Sequence, residues 1–425
     1  MKIILKDVKI YGSENPMDIL ITDGIISKLG GMSKDDQKDA QVFELSGRYA
    51  VPGLIDMHVH LREPGREDEE TVLTGCNSAA AGGFTAVASM PNTEPAADSS
   101  EIVRFIKERA SAHLVDVYPV GAVSVGRKGE SLAPMAELCE AGAVAFSDDG
   151  TAVKSARLMR YALEYSGMYG IPVIEHAEEE SLAGGSMNEG VTSTYLGLPP
   201  VPSIAEDLIV MRDILLAEYT GGRIHIAHVS TKNAVEMIRQ ARKKGIKVTA
   251  EVTPHHFTLS EESVKGYDTN MKMNPPLRTR EDVEAMIAGL ADGTIDVIAS
   301  DHAPHSIEEK EMEFQDAPNG IVGLETSLGL ALSELVHKKH ITLAQLVEKM
   351  SINPRKILNI PVPVIAPGEP ANITIIDPDI IWTVDVKKFR SKCKNSPFDK
   401  RLLTGKSVAV INRNQMFVED KFIKI

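Results

Sequence analysis

Cysteine is almost missing from this chain of 425 residues. Cys76, Cys139 and Cys393 are odd in number, far apart and form no Cys-x-x-Cys pair. That usage argues against a disulfide framework and a thiolate zinc knot, and it fits a reduced, cytoplasmic setting. Positive charge is also in deficit: 46 Lys and Arg face 60 Asp and Glu, for a net charge of −14. Such a balance opposes nucleic acid and anionic membrane as partners and leaves a small solute as the natural ligand. No apolar run approaches the roughly 18 residues of a membrane span, and the first residues carry charge too early for a signal peptide. What the chain does have is bulk. With 43% hydrophobic residues it can bury a large core, as one big barrel with an accessory module or as two to three ordinary domains.

From residue 54 onward, short β-type runs alternate with helical patterns. The runs are 54–61, 85–90, 115–121, 143–149, 173–177, 224–229, 247–252 and 296–301, and amphipathic helices are expected at 67–81, 101–112, 154–165, 204–219 and 233–243. Repeated strand-helix units make a parallel sheet, and eight of them close as an α/β fold, a (β/α)8 TIM barrel. The two ends read differently, as short alternating segments separated by turns such as Thr22-Asp23-Gly24. Residues 1–51 and 361–425 are therefore expected to meet in one small β-sandwich module flanking a barrel of residues 52–360, with the proline-rich 361–370 as the junction. The polar stretch 178–195 interrupts the barrel rhythm and reads as a surface loop, or alternatively as a lid.

Several runs end in metal-type side chains. His58 and His60 follow the first, Asp149 the fourth, His176 the fifth, His228 the sixth and Asp301 the eighth. Side chains two apart on a strand point the same way, so His58 and His60 aim at one point. In a barrel all strand carboxyl ends open on one face. Four imidazoles and two carboxylates exceed the ligands of a single catalytic zinc and suit two ions with an oxygen ligand between them. Strand parity favours Asp149 over Asp148 as the inward carboxylate, and it turns His225 away from His228 and His302 away from Asp301, leaving both as supporting residues. Near the same mouth, Arg62 offers a planar fork for a carboxylate, while Asn92 and Asn274 offer a donor and an acceptor each.

Asp-Met-His-Val-His-Leu-Arg-Glu-Pro-Gly (56–65) and Ala-Ser-Asp-His-Ala-Pro-His followed by four residues and Lys310 (299–310) closely resemble the two signature segments of dihydroorotases, cyclic amidohydrolases of the amidohydrolase superfamily. The resemblance implies two zinc ions (Zn2+) per subunit, one held by His58, His60 and Asp301, the other by His176 and His228, with Asp149 bridging. It also implies substrate contacts from His60, Arg62, Asn92, Asn274, His305 and the Asn319-Gly320 backbone. The implied reaction is reversible hydrolysis of the cyclic amide of dihydroorotate to N-carbamoyl-aspartate in de novo pyrimidine biosynthesis, with Asp301 carrying the proton. A homodimer and association with aspartate transcarbamoylase are the partners that the same likeness brings in.

One departure is visible. Many superfamily members bridge their metals with a carboxylated lysine at the end of the fourth strand, whereas Ala143-Val-Ala-Phe-Ser-Asp-Asp149 has none there, and Lys154 is expected on the following helix. The chain is similar to the subset that uses an aspartate. Two rivals are set aside on named residues. Allantoinases are expected to carry asparagine in place of Arg62 and dihydropyrimidinases to keep the strand-four lysine, while a non-catalytic dihydroorotase-like subunit would lack ligands that are all present here.

Overall fold

The structure, a computed structural model, describes residues 1–13 and 15–425. All eight runs become strands of one closed cylinder: Leu54–Val59, Phe84–Ser89, Asp116–Pro119 continued by Gly121–Ala122, Phe146–Ser147, Val173–Glu175, Ile224–Ile226, Val248–Val252 and Val297–Ile298. Their pairings are parallel throughout. The third strand breaks at Val120, its first piece pairing with Phe84–Ser89 and its second with Phe146–Ser147. Closure comes where Val59 bridges His302 and the His60 amide donates to the His302 carbonyl at 2.8 Å. The fold is thus the (β/α)8 barrel that the alternation of runs and helices implies.

Two apolar layers hold it. Ile55, Met57, Ala86, Ala88, Ala145, Ile174, Ala227, Val297 and Ala299 fill the interior, while Val87, Phe146, Val173, Ile224, Ile226 and Val252 pack outward against the helices. Ser100–Arg109, Ile204–Thr220 and Lys232–Lys243 lie close to their expected spans. The helix expected from 67 begins later, as Val72–Gly82, because Thr71 caps it and Glu63 accepts the Val72 amide at 2.8 Å. The next expected helix runs Ala156–Met168 behind a Ser155 cap. Lys154 therefore stays off the helix, contrary to its expected place, and pairs with Glu180 at the surface. In the polar stretch 178–195, Met187–Asn188 pairs with Pro200–Val201 and Val191–Leu196 is helical.

The two chain ends share a nine-stranded sheet. Its joint is the antiparallel pairing of Ile373–Thr383 with Tyr49–Pro52. Lys2–Ile10 pairs with Pro16–Thr22 on one side and with both Ala40–Glu44 and Tyr49–Pro52 on the other. That branching turns the sheet into two layers around Ile3, Leu5, Ile19, Ile21, Ile373, Ile375 and Ile411, the β-sandwich expected of the two ends. The proline-rich 361–370 is pinned to this module, Gly368 donating to Ile26 O at 2.8 Å and Ile26 to Glu369 O at 2.9 Å. Between Ile373–Thr383 and Leu402–Asn412 the chain leaves the sheet, and residues 384–401 travel to the carboxyl end of the barrel. Among the described residues no helix is long and apolar enough to cross a membrane.

Gly53 sits at the seam between sheet and barrel, donating its amide to Asn372 O at 3.0 Å. A Cβ there would lie 2.0 Å from Asn372 Oδ1 and 2.2 Å from Thr85 Oγ1, two side chains bonded to each other at 2.7 Å. Gly53→Ala is expected to push that pair apart and destabilise the protein by about 1–3 kcal/mol. Thermal unfolding checks it, and an unchanged midpoint would show that the seam adapts without strain.

Candidate metal centre and substrate cavity

The strand ends converge as their spacing implies, and the centre is organised by Asp149, which is 2% exposed. Its Oδ2 lies 3.4 Å from His58 Nε2 and 3.5 Å from His60 Nε2. Its Oδ1 lies 3.5 Å from both His176 Nδ1 and His228 Nε2. One carboxylate thus offers a separate oxygen to each of two histidine pairs, and each pair with Asp149 forms a group able to hold an ion. Asp301 Oδ1 joins the first group at 3.1 Å from His60 Nε2 and 3.5 Å from His58 Nε2. Asp148, in contrast, accepts from the Val123 and Ser124 amides at 3.0 Å and faces away, as parity requires.

The donor set fits divalent cations on physical grounds. His58 Nδ1 donates to Glu251 Oε1 at 2.5 Å, so Nε2 presents a lone pair toward Asp149 and Asp301. That nitrogen and Asp149 Oδ1 are buried polar atoms without a hydrogen-bond partner among the described residues. Acceptors facing acceptors repel unless a cation lies between them. The electrostatics agree. Burial opposes charge on Asp149 and Asp301, yet even without a metal ion to face, a protonated His58 and the neighbouring histidines hold both carboxyls below their ordinary range, and a cation in place of that proton would do the same.

Three local features place these side chains. In the first strand the register shifts between Asp56 and Val59. Met57 belongs to the barrel interior, whereas Val59 and Leu61 pack outward, so the shift resets the alternation and turns His58 and His60 inward. In the sixth strand His228 takes a left-handed φ of 29°. That turn breaks strict alternation and corrects the expectation for His225. Its neighbours Ile224 and Ile226 face the helices, so His225 shares the inward side with His228, and it lies 3.2 Å from Glu251 Oε2. Asp301 also has a left-handed φ, 50°. His302 faces away from it, toward Glu70 Oε2 at 3.4 Å, as expected.

Glu251 escaped the reading of the sequence. It grips His58 with one oxygen and His225 with the other, and although burial opposes its charge, the His58 charge and the His225 hydrogen bond bring its carboxyl down to about 2. A signal was present: Val248, Ala250 and Val252 pack outward, so parity sends Glu251 inward. Glu178 was missed as well, lying 3.7 Å from His176 Nε2 and accepting from Asn274 Nδ2 at 3.1 Å.

Above the histidines opens a cavity of about 180 Å³, lined by His60, Asp149, His176, His228 and Asp301 on its floor and by Arg62, Asn92, Asn274, His305, Asn319 and Gly320 around it. All the residues expected to touch substrate are there, and several are already oriented by protein partners. His60 Nδ1 donates to Asn92 Oδ1 at 2.7 Å. Arg62 Nε lies 3.0 Å from Glu69 Oε2 and donates to Pro304 O at 3.1 Å. His305 Nδ1 lies 2.9 Å from Glu69 Oε1. Glu69, His305 and Glu309 form a third group of possible ligands, but Arg66 Nη2 lies 3.2 Å from Glu69 and 2.8 Å from Glu309. The group is an ion-pair network. A bigger cavity, about 760 Å³, lies between the terminal sheet and the Val72–Gly82 helix and has no histidine among its described lining residues. Chemistry, not size, marks the smaller one.

Fold and site together define a barrel of the cyclic amidohydrolase class. Among solved structures it is similar to the L-hydantoinase (dihydropyrimidinase) from Arthrobacter aurescens, with 28% identity, TM-score 0.87, and coverage of 100% of this chain and 97% of that one. It also shares its fold with the dihydropyrimidinase from Brevibacillus agri NCHU1002, at TM-score 0.84 and 23% identity over 100% and 96% of the two chains. Residues 47–234 match the family model described as dihydro-orotase-like. Whole-chain relatives named dihydroorotase include those of Pelotomaculum thermopropionicum, 52% identical over 100% of both chains, and Geotalea daltonii, 53% identical over 94% of both. This chain belongs to the dihydroorotase family.

Glu251 fixes the proton of His58, and through it the nitrogen that faces the centre. Glu251→Gln is expected to weaken metal binding by about 10- to 100-fold while the barrel stays folded. Titration against a chromophoric chelator reads the change, and wild-type affinity in the variant would refute the role.

Proposed function

We propose that this chain is a dihydroorotase, hydrolysing the cyclic amide of dihydroorotate reversibly to N-carbamoyl-aspartate in pyrimidine biosynthesis, with two zinc ions held at the strand ends. The observation that carries the reading is the Asp149 carboxylate shared by two histidine pairs beneath a small cavity with Arg62 and His305 at its rim. His58, His60 and Asp301 would hold one ion and His176 and His228 the other, with Asp149 between them. When bound, the ions supply Lewis acidity and lower the pKa of water toward neutrality.

The chain's own groups do the remainder. Asp301, ionised in its buried place beside His60, accepts the proton of the attacking water and returns it to the departing ring nitrogen. Arg62 and His305 face the substrate carboxylate, a group for which the guanidinium fork is shaped. Asn92, Asn274 and the Asn319-Gly320 backbone hold the ring amides, so that the reacting atoms meet in one orientation. In this reading residues 52–360 carry the chemistry and 1–51 with 361–425 support it.

A homodimer belongs to the same reading. Its support is an exposed apolar stripe on the Ile204–Thr220 helix, formed by Ile204, Leu208, Met211, Leu215 and Tyr219 and extended by Tyr161, Tyr165 and Met168 of the neighbouring helix. Leu215→Glu is expected to shift sedimentation from dimer to monomer. A wild-type chain already sedimenting as a monomer would remove the dimer.

For the reaction itself, Asp301→Ala is expected to lower turnover by about 10²-fold or more even with metal restored, and Arg62→Met to reduce kcat/KM for dihydroorotate by about tenfold to a hundredfold with metal content intact. Steady-state assays with metal analysis, before and after chelation, decide both. Near-normal turnover in Asp301→Ala, or activity indifferent to complete metal removal, would end the proposal.

A further inference from the structure

Residues 315–320, Gln-Asp-Ala-Pro-Asn-Gly, bring the Asn319-Gly320 backbone to the cavity without forming helix or strand. A segment without regular pairing must find donors for its carbonyls elsewhere. Two buried ammonium groups supply most of them. Lys272 Nζ donates to Gln315 O at 2.8 Å and to Ala317 O at 2.7 Å. Lys310 Nζ donates to Pro318 O at 2.9 Å and to Gly320 O at 3.1 Å. Asn319 O lies 2.8 Å from His305 Nε2. The two lysines therefore hold four of the segment's six carbonyls.

Lys272 and Lys310 are only 5% and 7% exposed, and neither forms an ion pair among the described residues. Burying an ammonium against neutral carbonyls alone costs more than a neutral donor would, so the strength of charge-assisted bonds is what this segment gains. A second support comes from far along the chain. Asn395, on the 384–401 excursion of the C-terminal segment, donates from Nδ2 to Gly320 O at 3.1 Å and to Ala303 O at 3.0 Å, and its Oδ1 accepts the His305 amide at 3.2 Å. It thereby joins two walls of the cavity. They touch: Gly320 has a φ of 122°, and a Cβ on it would lie 2.6 Å from Ala303 Cβ. Movement of one wall must move the other.

We infer that Lys310 and Asn395 are positioning residues for substrate, meeting on the Gly320 carbonyl to hold the Asn319-Gly320 backbone and His305 in place around the ring. This rests on the amidohydrolase reading above. A pH signature accompanies it. Burial and then the neighbouring charge of Lys272 push the Lys310 ammonium down to about 8, against the opposing pull of Asp268 and Glu309. Below that value the charge is present and the clamp complete. As pH rises through it, the amine keeps N–H groups but loses the charge that strengthens its bonds, and the loop loosens.

The test is steady-state kinetics on the metal-loaded full chain with dihydroorotate, comparing wild type, Lys310→Met and Asn395→Ala from neutrality to about one and a half units above the Lys310 value, with metal content measured alongside. Both variants are expected to keep their metal and raise KM by about tenfold or more, with a smaller change in kcat. Wild-type KM is expected to climb above about pH 8, whereas Lys310→Met should show a raised KM that no longer responds to pH. If Lys310→Met does not fold, Asn395→Ala and the wild-type profile carry the decision. Wild-type KM in Asn395→Ala, or a flat wild-type profile, would overturn the inference. Metal-loaded wild type without ring-opening activity would instead overturn the reading on which it rests.

Discussion

A carboxylate buried among imidazoles must have a cation to face, and the rest of this architecture is arranged around that requirement. Asp149 lies at the floor of the cavity with one oxygen toward His58 and His60 and the other toward His176 and His228. Left to protons, the cluster would draw charge onto His58 and His176. Burial opposes a charged His58, yet Asp149 and Glu251 raise its pKa well above the ordinary value. The same field that would protonate a ring attracts a metal ion to its lone pair. Glu251 and Asn92 help settle the contest by accepting hydrogen bonds from the Nδ1–H groups of His58 and His60, which leaves Nε2 of each ring turned to the centre.

The barrel makes this possible because parallel strands present their carboxyl ends together. A regular strand would nevertheless place some of these side chains wrongly. The register shift in the first strand and the left-handed residues His228 and Asp301 occur where an extra side chain has to be turned inward. Such departures from ideal geometry cluster at functional sites because the surrounding structure pays for them in strain. Here each of them carries or adjoins a proposed ligand.

Sharing a fold with hydantoinases says little about which ring is opened, since a barrel of this kind can host many different sites. The rim of this chain is built from distant pieces. Glu69 orients Arg62 and His305 from the loop before the Val72–Gly82 helix, two lysines hold four of the 315–320 carbonyls, and the C-terminal segment leaves its sheet to deliver Asn395. These loops are held by charged and amide donors rather than by sheet pairing, so their position depends on side chains that touch no reacting atom.

Much of this was legible beforehand. Apolar alternation located all eight strands, and histidine and aspartate at their ends located the centre, because the period of a strand and the polarity of a barrel are local and general rules. Parity separated Asp149 from Asp148 but misjudged His225, since a single left-handed residue resets the alternation and leaves no mark in composition. Glu251 obeyed parity and was still passed over, for a lone carboxylate in an apolar run declares no partner. The order of residues alone thus determined the barrel, the side-chain types at its strand ends and the face on which they meet. Which ring nitrogen faces the centre, and what fixes the 315–320 backbone, was decided only by the tertiary structure, because both depend on donors and acceptors contributed by distant segments, Glu251 lying 193 residues from His58.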